Sequence, residues 1–219
     1  MQGVHNGINF TKFNPSNPYK NIRAELGIDS QKVVVLFLAR FTAHKQPLTL
    51  LKAFFMAMKK DETLHLLMVG DGDEKAQALQ MITAAQAADR ITLLPFRADV
   101  PDILAAADVY VLPSLWEGFP IGLLEAMAMG RAIIASDVDG NNDVMMHKEN
   151  GLLVSPTNLE NDLEKSILSL AADREPRQKL GEMARYTVVN RFDEETMTRE
   201  IEAIYRSTLV LQYEQHATT

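Results

Sequence analysis

Apolar residues in this chain fall in short unbroken runs, separated by stretches where they recur every three to four positions. Residues 33–39, Val-Val-Val-Leu-Phe-Leu-Ala, form the longest β-branched and aromatic run, the pattern of a strand covered on both faces. Shorter runs at 64–69, 91–94, 108–112, 132–135 and 151–154 predict five more strands. Helical spacing between them predicts helices at 46–60, 74–87, 100–106 and 120–129. Such alternation specifies the α/β class, a parallel sheet with crossover helices. After Pro156 the pattern turns all helical. In the last predicted helix, 194–213, Met197, Ile201, Ile204, Tyr205 and Thr208 recur on one face, and 212–219 reads as a frayed tail. Residues 1–20, with Asn14-Pro15-Ser16-Asn17-Pro18, read as a linker. The expected division is linker 1–20, α/β domain 21–192, and C-terminal helix and tail 193–219.

Composition narrows the functions. The 219 residues suffice for one core, and 47% apolar with 23% charged residues is globular. No apolar run reaches membrane-span length, and residues 1–20 lack a basic-then-apolar leader pattern. The absence of cysteine removes disulfides, thiolate nucleophiles and Cys-based metal sites, and a cytoplasmic setting is expected. A formal charge of -7 argues against a nucleic-acid partner. The histidines, His5, His44, His65, His147 and His216, have no ligand spacing. Asp71-Gly72-Asp73 has the form of a short metal motif, but it lies in the glycine-rich turn Gly70-Asp71-Gly72 and reads as that turn; no metal is expected.

Residues with chemical potential gather after the predicted strands, where ligands sit in doubly wound sheets. Arg40 and Lys45 follow the first strand, Gly70 and Gly72 the second, Phe96 the third and Glu117 the fourth. The segment 113–130 is the most telling. It sets Glu117 on a Gly/Pro turn, lets the backbone approach a ligand at Gly118, and has Pro120 at the first helical position. The amides of Ile121 and Gly122, with the helix dipole, then form an anion site. Glu125 follows on a helix otherwise built of Leu, Ala and Met. A buried carboxylate needs a partner, and a ribose diol offers two hydroxyl donors. Trp116 and Phe119 read equally well as core or as site residues.

Glu117-Gly118-Phe119-Pro120 followed by Leu124-Glu125-Ala126-Met127-Ala128-Met129-Gly130 resembles the Glu-x7-Glu signature of retaining glycosyltransferases of the GT-B fold, glycosyltransferase family 4. The similarity runs from about residue 4 to about residue 204 and covers only the C-terminal, donor-binding half. It implies a Rossmann-like three-layer parallel sheet ending in several helices, and a second, acceptor-binding α/β domain before Met1. By resemblance, Arg40 and Lys45 form an Arg-x4-Lys element that grips the diphosphate of a UDP-sugar or GDP-sugar without metal. Glu117 meets hydroxyls of the donor sugar near its reacting carbon, and Glu125 holds the ribose. Gly118, Phe119, Pro120, Ile121 and Gly122 present backbone to phosphate and sugar, beside Gly70. Phe96 and Arg97 occupy the loop that contacts the base. Ala39 and Gln46 stand where the family usually has glycine. Asp139-Gly140 and Asp143 stand in a Gly-Gly-x-x-Glu turn.

The activity so implied is retaining hexosyl transfer to an acceptor hydroxyl, in polysaccharide or glycolipid biosynthesis. The last helix would cross to the missing domain, through which any peripheral membrane association would also run. Two rivals stand beside this reading. One is a module that binds nucleotide sugars and needs a partner to turn them over, and the other is a sugar-nucleotide epimerase.

Overall fold

The run at 33–39 becomes the middle of the sheet. The computed structural model describes residues 6–217, which form, in chain order, α1 (Ile22–Glu25), β1 (Val33–Leu38), α2 (Pro47–Ala57), β2 (Leu64–Val69), α3 (Lys75–Ala84), β3 (Ile91–Leu94) and α4 (Val100–Ala106). There follow β4 (Val109–Leu112), α5 (Ile121–Ala128), β5 (Ala132–Ser136), β6 (Leu152–Val154), α6 (Leu159–Ala172), α7 (Arg174–Arg191) and α8 (Glu194–Ala217). The six strands lie in the order β3-β2-β1-β4-β5-β6, and every pair is parallel.

Alternation along each strand divides the core in two. Val34 and Leu36 of β1, Tyr110 and Leu112 of β4, and Ile133 of β5 face α4, α5 and α7. Val35 and Phe37, Val109 and Val111, and Ile134 face the opposite layer of α2, α3 and α6. The result is the expected three-layer, Rossmann-like sandwich. After β3 the chain returns to the other side of β1, so the loops leaving β1 and β4 part company at their carboxyl ends. That is where a crevice opens in a doubly wound sheet.

The predicted strands match to within a residue, because burial on both faces gives each an unbroken apolar run. Helix ends differ more. Pro120 and Gln46, expected inside their helices, are the caps of α5 and α2. The short α1, capped by the Asn21 side chain on the Ala24 amide, has too few residues for a periodic signal. The segment read as a linker is packed on the domain in its described part. Ile8 and Phe13 are buried, and the Ile8 amide donates to the Phe192 carbonyl at 2.8 Å. The tail expected from residue 212 onward instead continues α8 to Ala217. Ile201 and Tyr205 on α8 are exposed, and the Thr208 side chain, like residues 1–5 and 218–219, lies outside the described residues. Among those described, no helix is long and apolar enough to cross a membrane.

His65 gives the fold a pH dependence. It is buried in β2, with Nε2 at 2.9 Å from the Thr92 hydroxyl. Burial, reinforced by Arg90 and Lys32, pushes its pKa down to about 4. The unfolded chain therefore binds a proton below pH ~6.5 that the folded chain refuses until about pH 4. Stability is full above that window and falls as pH drops through it. Urea unfolding should lose about 2 kcal/mol through His65 between pH 7.5 and 4.5. The His65→Val variant should lack that part of the slope, and an identical slope in both proteins would contradict it.

Candidate functional site

The crevice is closed at its back by backbone. Arg40 follows β1, Phe41 turns into the core, and its amide donates to the Asp71 carbonyl at 2.9 Å. Gly70 lies against this loop with φ +146°, and a side chain there would run into the Ala39 carbonyl. A tight turn at Ala43–Lys45 then leads to Gln46, which is left-handed at φ 54° and ψ 42°. This is a position that favours glycine. Gln46 braces itself, donating from Nε2 to the Ala43 carbonyl at 2.6 Å.

Three contacts join this loop to the one after β4. The Leu115 amide donates to the His44 carbonyl at 2.8 Å. The Trp116 ring stacks on His44 with centroids 4.5 Å apart and planes at 15°. Lys45 Nζ meets Glu117 Oε1 at 2.5 Å, with side chains only 16% and 9% exposed. Burial and the neighbouring Lys45 lower the His44 pKa, which keeps the ring neutral beside these cations. Behind the second loop, the Ser136 hydroxyl donates to the Ser114 carbonyl, and Asn141 Nδ2 donates to the Ser136 carbonyl at 2.9 Å. Gly140, at φ +84°, lies below the Glu117 turn. A Cβ there would come within 2.6 Å of the Glu117 carbonyl oxygen.

In front of these loops is a cavity of about 250 Å³ bounded by Arg40, Gly70, Phe96, Gly122 and Glu125 among others. The Arg40 side chain is exposed and makes no hydrogen bond or ion pair with the described residues. The half-buried Glu125 carboxylate makes none either, and burial raises its pKa, with Lys12 opposing. The amides of Ile121 and Gly122, at the start of α5, donate to nothing among the described residues, as first-turn amides do. One unpaired guanidinium and one carboxylate without a hydrogen bond thus line one cavity, with two free amides at or beside its wall. The pair Glu125 and Glu117 also raises the pKa of buried Tyr110, after burial itself.

The remaining expected residues divide. Phe96 is 71% exposed at the cavity rim, with its amide fixed to Asp71 Oδ2 at 2.8 Å. The other oxygen of Asp71 pairs with Lys75 at 2.5 Å, so this aspartate braces the turn. Arg97 lines the cavity, yet its guanidinium is engaged by Asp99 and Glu25 at 2.6 and 2.5 Å, which raise its pKa further. Phe119 packs at 5.6 Å from Phe192 and is partly core, whereas Trp116 is 62% exposed at the site. Gly118 is open on its Cβ side, leaving room for a ligand against its backbone. Among the described residues, no group of three or more His, Cys, Asp and Glu side chains could hold a metal. Sequence reasoning missed the roles of His44, Ser114, Ser136 and Asn141. Only the burial of polar residues beside strand ends could have signalled the last three.

This sheet order with its crevice at the β1/β4 divergence is that of a GT-B glycosyltransferase half. Anabaena Alr3699/HepE, solved in complex with UDP and glucose, superposes with a TM-score of 0.85 at 25% identity, covering 93% of this chain and 56% of that one. The C-terminal domain of the glycosyl transferase group 1 family protein LpcC from Francisella tularensis superposes with a TM-score of 0.76 at 23% identity, covering 85% of this chain and 99% of that one. The family described as glycosyl transferases group 1 matches residues 18–187, and the chain belongs to it. A UDP-Gal:alpha-D-GlcNAc-diphosphoundecaprenol alpha-1,3-galactosyltransferase from Escherichia coli is 29% identical over 213 residues, or 94% of this chain and 54% of that protein. An N,N'-diacetylbacillosaminyl-diphospho-undecaprenol alpha-1,3-N-acetylgalactosaminyltransferase from Campylobacter jejuni is 31% identical, over 91% of this chain and 52% of that protein. The chain therefore spans about half the length of these curated relatives.

The Lys45–Glu117 pair yields a test of the site's architecture. Removing one partner of a largely buried pair strands the other charge, at a cost of about 3 kcal/mol. Lys45→Met should lower stability by about that amount, and Lys45→Met/Glu117→Gln should recover most of it. Urea unfolding of the four-member cycle gives the coupling, and additive effects would show that the pair does not hold the loops.

Proposed function

We propose that this chain is the nucleotide-sugar-binding half of a retaining glycosyltransferase, with a UDP-sugar as donor. The observation that carries the reading is the unpaired Arg40 and unpaired Glu125 in one cleft with the free amides of α5. Ionised Glu125 accepts hydrogen bonds from the two ribose hydroxyls, which replace the water it has lost. The diphosphate then lies across the start of α5, on the Ile121 and Gly122 amides and the Arg40 guanidinium. Lys45 has three donors and gives one to Glu117, so others remain for a phosphate oxygen. Glu117, held by Lys45, turns its second oxygen toward the donor sugar's hydroxyls. The UDP-Gal in the name of the Escherichia coli relative and the UDP in the Anabaena structure support this donor class.

Transfer then needs little covalent help from the chain. The bond from anomeric carbon to phosphate oxygen breaks with its electron pair leaving on the phosphate, where Arg40, Lys45 and the α5 amides stabilise the growing charge. An acceptor hydroxyl approaches from the same face, forms the new bond and passes its proton to the departing phosphate. The configuration at carbon is kept. Glu117 is tied to Lys45 and is ill suited to act as a nucleophile, which favours this front-side route over a covalent intermediate. These cations and amides do the work of a divalent metal. The acceptor is bound by a part of the enzyme outside these residues, so the chain by itself should bind donor and transfer little sugar; robust acceptor-dependent turnover would refute that.

Calorimetry with UDP in excess chelator tests the proposal. Binding should persist without metal, and Arg40→Ala should weaken it by about 1.5–3 kcal/mol, the scale of a charge-assisted hydrogen bond. Because the nucleotide favours ionised Glu125, whose pKa is raised, affinity should fall as pH drops through the range just above the ordinary carboxylate value. Glu125→Gln should bind more weakly and lack that component of the pH slope. Strict dependence on Mg²⁺ or Mn²⁺, or full affinity in both variants, would contradict the proposal.

A further inference from the structure

A second, larger cavity of about 500 Å³ opens at the other end of the sheet, where β1, β4 and β5 begin and α7 starts. Val33 lies at its wall, and Leu38 at the cleft, so the two are separated by the length of β1, roughly 16 Å. Its charged lining is Arg23, Lys32, Arg131, Arg174 and Arg177 against the single carboxylate Asp108. In a chain of net charge -7 this is a local reversal of sign.

The carboxylate is already committed. Asp108 Oδ2 accepts from Arg23 Nη2 and from the Val34 amide, both at 2.7 Å. Among the described residues, the hydrogen-bond partners of the other cations are neutral. Arg131 donates from Nη1 to the Ala107 carbonyl at 2.7 Å and from Nε to that of Met129 at 2.9 Å. Arg177 donates to the Leu170 carbonyl at 2.5 Å, Lys32 to the Glu62 carbonyl at 2.7 Å, and Arg174 faces the Gln178 amide. Burial lowers the Arg131 pKa, and Arg23 adds to that against the pull of Asp108. Bracing of strand and helix ends explains each arginine singly. It gives no reason for four guanidinium groups around one open volume, where they repel one another.

We propose that this cavity binds a compact phosphate-bearing anion, at a site separate from the nucleotide cleft. Guanidinium forks match phosphate oxygens in geometry as well as charge. Arg131 is recessed behind the strand starts, which suits a small soluble phosphate rather than a flat charged surface. The site does not depend on the proposed activity, since no residue is shared between the two cavities.

Titration of the ¹⁵N-labelled chain with inorganic pyrophosphate, with and without saturating UDP, tests this. Saturable shifts are expected at the amides of residues 130–132 and of Arg174, Glu175, Arg177 and Gln178, and they should persist with UDP present. Arg174→Glu should weaken the binding at least fivefold. An acidic residue is welcome in the first turn of α7, so the variant should stay folded. Shifts confined to residues 40–45 and 118–122, a response that sodium chloride reproduces at equal ionic strength, or unchanged affinity in Arg174→Glu would overturn the proposal.

Discussion

The clasp between the loops after β1 and β4 is the constraint on which the site depends. These strands are neighbours in the sheet, but the chain runs away from β1 to one side and away from β4 to the other. Nothing in the sheet itself fixes how their loops meet. The Leu115–His44 hydrogen bond, the Trp116–His44 stack and the Lys45–Glu117 pair supply that link. Each acts at a different range: a backbone bond sets register, a ring stack sets spacing, and an ion pair sets where the Lys45 and Glu117 side chains point. The Glu117 turn is thereby held close to Gly140, whose lack of a side chain is what lets the two turns approach.

The two glutamates of segment 113–130 have opposite electrostatic situations. Glu117 has lost its water but gained a cation at 2.5 Å, so its charge is balanced within the chain. The Glu125 carboxylate is half-buried and has gained no hydrogen bond, and burial raises its pKa. Glu125 is held half-buried at the cavity wall by a helix whose Leu123, Leu124, Ala126 and Met127 are fully buried. The stability of α5 keeps an unfavourable carboxylate in the cleft, next to a cation and two amides that also lack partners.

What was legible in the sequence follows from the range of each interaction. The strands could be read because double burial writes itself as continuous apolar runs, as at Val33–Leu38 and Leu64–Val69. The motif residues could be read because Arg40 and Lys45, or Glu117 and Glu125, are close in sequence. Contacts between distant segments left no trace. The pairing of Lys45 with Glu117, the capture of Arg97 by Glu25 and the cationic cavity built from residues 23 to 178 depend on the sheet order. The packing of residues 6–20 on the domain was hidden for a related reason: Ile8 and Phe13 are buried singly in an irregular segment, with no period to betray them.

A crystal structure of the chain with UDP tests the central claim most directly. The account predicts the ribose diol on the Glu125 carboxylate, and the diphosphate on the Ile121 and Gly122 amides with Arg40 and Lys45 against its oxygens. It also predicts that the Leu115–His44 bond and the Trp116 stack are unchanged. A nucleotide bound with its ribose away from Glu125, or a diphosphate that does not touch the start of α5, would contradict it.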